Sequence, residues 1–122
     1  MKLILLLLLT ATSMVAGEAK CKGNPKIVGA CFSIHGRITL GADTVRLRLW
    51  PVGTKRMLGV TGGPILDDAD DPIYPRNLRF TPDTEAIYGN FEVCPFTQDK
   101  VGAMQLVCIE SAVNVVVKRD GK

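Results

Sequence analysis

The stretch Phe32-Ser33-Ile34-His35-Gly36-Arg37-Ile38-Thr39-Leu40, followed by Val45-Arg46-Leu47-Arg48-Leu49-Trp50, decides the fold. In the first segment Phe32, Ile34, Ile38 and Leu40 alternate with Ser33, His35, Arg37 and Thr39. In the second, Val45, Leu47 and Leu49 alternate with Arg46, Arg48 and Trp50. Successive side chains of a strand point to opposite faces, so a period of two marks a strand with one buried face. Gly36 falls on the apolar face, where a bulge or bend is expected. Gly41-Ala42-Asp43 between the segments is a turn signal, and the two strands read as a hairpin.

Further along, Pro51 and Gly53 end the second strand, and residues 56–61 form a short third one. Residues 62–85 carry Gly62, Gly63, Pro64, Pro72, Pro75 and Pro82, which excludes a long helix because proline disrupts a helix interior by about 3 kcal/mol. Residues 86–94 read as a fourth strand. Residues 104–109 and 112–117 read as one long strand interrupted near Glu110-Ser111. Five or six strands without strand–helix alternation predict an all-β domain, either a small antiparallel barrel of OB-like arrangement or a sandwich.

Before this domain, the chain opens with Met1-Lys2, the apolar run Leu3 to Leu9, and then a smaller, more polar stretch ending Val15-Ala16-Gly17-Glu18-Ala19. Charge, apolar centre and small-residue exit are the order of a secretory signal peptide. The uncharged stretch is shorter than the roughly 20 residues that span a bilayer, which argues against an anchor. Cleavage after Gly17 or after Ala19 fits, and the latter is favoured. Residues 1–19 are therefore expected to be a signal peptide and residues 20–122 a single all-β domain, secreted or periplasmic. Removal takes one cation, Lys2, and one anion, Glu18, so the net charge of +3 is unchanged. That mild excess is no signature of specific nucleic-acid binding.

Cys21, Cys31, Cys94 and Cys108 are an even set in an exported chain, which implies two disulfides. Cys94 and Cys108 flank the last hairpin and can face each other, and Cys31 can reach either, so three pairings stay open. With no Cys-x-x-Cys and one histidine, a zinc site is not expected, and no cofactor is implied.

The residues that invite a functional reading are His35, Arg37, Arg46, Arg48 and Trp50. With the apolar alternation inside, all five point outward. A hairpin connection must hold an even number of residues to keep the faces matched. Two residues set Arg37 opposite Arg46 and His35 opposite Arg48; four set Arg37 opposite Arg48 and His35 opposite Trp50. Either crowds cations across a pair, which destabilises a sheet. An anion or glycan face explains the crowding, since Arg gives bidentate contacts and Trp stacks. The alternative is that acidic residues such as Asp67-Asp68-Ala69-Asp70-Asp71 cover the face. That run lacks the spacing of a twelve-residue calcium loop and reads as a solvated turn.

No nucleophile elbow, zinc-protease motif or phosphate loop occurs, so an enzyme is not expected. The segments His35-Gly36-Arg37, residues 48–56, residues 91–95 and residues 107–111 together resemble a group of uncharacterised secreted bacterial proteins. The resemblance implies bacterial export and supplies no site residues. The expected function is a non-catalytic binding or envelope-associated module, whose partner is an acidic glycan, an envelope surface or a protein. The other reading is a secreted inhibitor presenting residues 62–85 or 95–103 on a disulfide-held frame.

Overall fold

A computed structural model describes residues 20–41, 45–65 and 71–120. The signal segment and most of the acidic run lie outside the described residues; Asp71 of that run is exposed. Five strands are formed: β1 (Phe32–Leu40), β2 (Leu47–Pro51), β3 (Leu58–Val60), β4 (Thr84–Pro95) and β5 (Gln105–Arg119). They close into a ring in the order β1-β2-β3-β5-β4, with β4 returning to β1. This is the OB-like barrel arrangement, and the closed order rules out a two-sheet sandwich. The sheet is mixed rather than antiparallel throughout, because β3 runs parallel to β5. β3 and β4, consecutive along the chain, are not neighbours in the ring, because β5 lies between them.

The apolar alternation of β1 and β2 forms the wall of the core. Ile38, Leu47, Leu49, Leu58, Ile87, Phe91, Val93, Val107 and Ile109 pack inside the ring, nearly all fully buried. Gly36 is not a bulge, since the β1 register runs unbroken against both neighbours. It is a point of close approach. A Cβ there would lie 2.6 Å from Leu49 Cδ1 and 3.2 Å from the Trp50 carbonyl oxygen. Gly89 faces it on β4, and the two glycines leave room for Phe91.

β5 is one continuous strand. The expected interruption at Glu110 is a β-bulge: Glu92 pairs with Ser111 and Val93 with Ile109, leaving Glu110 as the extra residue. At its start β5 is buried on both faces. Val107 and Ile109 point into the barrel, while Leu106 and Cys108 join Cys21, Cys94 and Phe96 in a second cluster outside it. The N-terminal arm, residues 20–31, covers that cluster through two disulfides, Cys21–Cys108 and Cys31–Cys94. Cys94 and Cys108 do face each other across the ladder, yet each bonds to the arm instead. Two disulfides and no free cysteine mark the fold as one for an oxidising, extracytoplasmic compartment. Among the described residues no helix is long and apolar enough to cross a membrane.

Candidate functional site: a basic aromatic cleft

The first hairpin has a longer connection than expected. Leu40 pairs with Leu47, and Gly41 N–H donates to the Arg46 carbonyl at 2.6 Å, extending the same register. The parity of the two faces is kept, but the pairing shifts by two residues. Arg37 stands opposite Trp50 and Thr39 opposite Arg48, so no two cations oppose each other. The expected crowding is relieved by placing an indole and a hydroxyl where arginines would have met.

Arg37 lies between two aromatic residues, Trp50 on β2 and Tyr88 on β4. Its guanidinium carbon is 6.0 Å from the centroid of the Trp50 ring, a cation–π contact. The indole is held by its own turn. Trp50 Nε1 donates to the Thr54 carbonyl at 2.7 Å, and Thr54 Oγ1 in turn donates to the Pro51 carbonyl at 2.8 Å. Gly53, with φ near 88°, allows that tight reversal. The ring is thus oriented before any ligand arrives.

Trp50, Arg37, Thr39, Lys55, Arg56 and Met57 line a groove of about 410 Å³. A second groove of the same size continues from Lys55, Arg56 and Met57 to Lys100 and Gln105, along the 96–104 connection. The two grooves share Lys55, Arg56 and Met57 and so adjoin as a cleft beside the turn that follows Trp50. Arg56 is fixed within it: Nη2 donates to Gln105 Oε1 at 2.6 Å and pairs with Asp99 at 3.5 Å. Gln105 Nε2 donates to the Thr97 carbonyl, which braces the far wall. By contrast, no carboxylate among the described residues pairs with Arg37, Lys55 or Lys100. Elsewhere cations are matched, as in Lys22–Glu92, Lys118–Glu85 and Arg119–Asp83.

The five outward residues are therefore only partly gathered. Arg37 and Trp50 meet. Arg48 shares their face one step along, half-buried, with Nε 3.4 Å from the Val45 carbonyl oxygen. His35 turns toward β4, its Nδ1 3.0 Å from Asn90 Oδ1. Arg46 is exposed and lies outside the groove, bordering a separate small pocket with Leu40, Tyr74 and Phe80. Lys55, Arg56, Met57 and Lys100 were not singled out from the sequence. The adjacent cations Lys55-Arg56, directly after the Trp50 turn, were the available signal.

Chemically, the cleft offers a fixed aromatic surface, the Thr39 hydroxyl and three cations, Arg37, Lys55 and Lys100, that have no carboxylate partner among the described residues. No family model matches the chain, and neither a curated protein nor a solved structure matches it.

Proposed function

We propose that this chain is an exported, non-catalytic binding module of the bacterial envelope, secreted or periplasmic, which holds an acidic glycan along the Arg37–Trp50–Lys55–Lys100 cleft. The observation that carries this reading is the set of cations, without carboxylate partners among the described residues, around a pre-oriented indole. Sugar rings present apolar faces that stack on an indole, and carboxylates or sulfates accept charge-assisted hydrogen bonds from arginine and lysine. A cleft open to solvent suits an extended chain better than a buried small molecule. The leading residues 1–19 and the two disulfides fit export.

Trp50 is the single tryptophan, so its emission reports on the cleft directly. Titration with an oligogalacturonate should give a saturable change in Trp50 fluorescence that weakens as salt rises. An unchanged spectrum at millimolar oligosaccharide would remove the glycan reading.

One observation favours the inhibitor reading as a second possibility. Val101 is fully exposed, at 100%, at the tip of the 96–104 connection. That connection is braced by Leu106 N–H donating to Thr97 Oγ1 at 2.9 Å and Ala103 N–H to the Lys100 carbonyl at 3.1 Å. A held, apolar tip is what a loop inserted into a protein pocket requires. Val101→Ser removes the apolar tip and should weaken such docking strongly, while adding no charge beside Lys100 in the adjoining groove.

A further inference from the structure

The two disulfides are neighbours in space. Cys94 and Cys108 are direct cross-strand partners on β4 and β5. The Sγ atoms of Cys21, Cys94 and Cys108 all lie within 4.8 Å of one another. These three residues are buried, whereas Cys31 is partly exposed. Directly opposed residues of an antiparallel pair have Cα atoms about 4.5–5.5 Å apart, within the roughly 4.4–6.8 Å that a disulfide bridges. A Cys94–Cys108 bond is therefore within reach of the existing ladder.

We propose that this pair of disulfides is an internal thiol–disulfide exchange site that releases the N-terminal arm when a thiol attacks it. The attacking thiolate, from a small-molecule thiol or a dithiol oxidoreductase, bonds to the accessible Cys31 Sγ. The Cys31–Cys94 bond breaks, and Cys94 leaves as a thiolate. Cys94 then attacks Cys108 Sγ, the Cys94–Cys108 bond forms, the Cys21–Cys108 bond breaks, and Cys21 leaves as a thiolate. Each step exchanges one bond for another through in-line attack by a thiolate, and the second step needs no further oxidant or reductant. Two strand cysteines end joined to each other, and both arm cysteines end detached from the barrel.

The consequences follow from what else holds the arm. Lys22 pairs with Glu92 at 3.0 Å, Lys22 N–H donates to Glu110 Oε1, and Val28 N–H donates to the Pro95 carbonyl. Ile27 adds apolar packing on the second cluster, but among the described residues these contacts are mostly exposed, and the two disulfides are the arm's covalent tethers. Exchange would leave the barrel core of Leu49, Leu58 and Phe91 intact while uncovering Phe96 and Leu106 and freeing the Cys21 thiol.

The test uses Cys31→Ser, which leaves Cys94 as the lone thiol beside Cys21–Cys108. Lys20, Lys22, Lys26, Arg79, Lys100 and Lys118 put the four cysteines on four different tryptic peptides, so every pairing is distinguishable by mass. After incubation in mildly alkaline buffer and alkylation in denaturant, the proposal expects label to move from Cys94 to Cys21 and a Cys94–Cys108 linked peptide to appear. Label confined to Cys94 throughout, with Cys21–Cys108 intact, would overturn it. If Cys31→Ser does not fold, the wild-type protein is treated under native conditions with limiting dithiothreitol and its one-disulfide species is mapped. Cys94–Cys108 in that species supports the proposal; Cys21–Cys108 as the surviving bond contradicts it.

Discussion

Arg37 on β1 faces Trp50 on β2 directly, with the guanidinium carbon 6.0 Å from the indole centroid and no carboxylate partner among the described residues. Its Nε is buried without a hydrogen-bond partner. A buried unpaired donor costs about 1–3 kcal/mol, so this side chain is held at some expense of stability. Arg37→Met keeps most of the stem and removes the unpaired donor. Its unfolding free energy should equal or exceed that of wild type by up to about 2 kcal/mol, because relief of the unpaired donor outweighs a cation–π contact worth about 0.5–1 kcal/mol. Affinity for an acidic oligosaccharide should fall by roughly ten- to a hundredfold, the worth of about 1.5–3 kcal/mol in a charge-assisted hydrogen bond. Urea unfolding and calorimetric titration separate the two effects.

Gly36 supplies the wall on which that face is built. Gly36→Ala puts a methyl 2.6 Å from Leu49 Cδ1, and both Leu49 and Phe91 are fully buried and cannot swing away. Overpacking of this kind costs about 1–3 kcal/mol. The urea midpoint should fall accordingly, with an unchanged slope.

Leu49 fills the barrel directly beneath Trp50's neighbours and is wholly buried. Leu49→Ala should cost about 2–5 kcal/mol through lost burial and the cavity left behind. The variant should bind glycan normally at temperatures where it remains folded, because the cleft side chains are on the opposite face of β2. Thermal unfolding followed by circular dichroism, with a binding titration at low temperature, checks both parts.

Asp83 links the C-terminal end of β5 to acid stability. Its carboxyl lies below the ordinary carboxylate range, chiefly because the Thr81 hydroxyl donates to it, with Arg119 nearby adding attraction. A depressed folded value means that the contribution is present above the unfolded carboxyl's pKa and is lost as pH falls through the lower, folded value. Asp83→Asn should therefore lose stability near neutrality and show a shallower decline on acidification than wild type. Unfolding free energies measured across the acid range decide this, and parallel curves would contradict the assignment.

The alternation of Ile34, Ile38, Leu47 and Leu49 was enough to read the first two strands and their inner faces, while the order of strands along the chain left an OB-like barrel and a sandwich both open. Hydrophobic period is a local signal, and β1 and β2 obey it closely. The parallel β3–β5 pairing was not legible, because β3 is three residues long and its partner lies beyond a connection whose course no local rule sets. Cys94 and Cys108 were seen as opposed, but the arm outcompetes the cross-strand bond, and tertiary placement of residues 20–31 is invisible in spacing. For the site, the parity rule placed Arg37, Arg48 and Trp50 on one face, while the register, Leu40 opposite Leu47, decided their partners. His35 and Asn90 are 55 residues apart, so their meeting needed the closed ring.

The central claim is that the cleft, and not net charge, holds an acidic glycan. The most direct measurement is salt elution from an immobilised acidic polysaccharide. Lys55→Gln/Lys100→Gln removes two exposed cleft cations, and Lys118→Gln/Arg119→Gln removes two cations from the far end of β5. The account predicts that the cleft variant elutes at markedly lower salt than wild type while the β5 variant elutes close to it. Equal shifts for both variants would show that the column reads charge alone and would contradict the account.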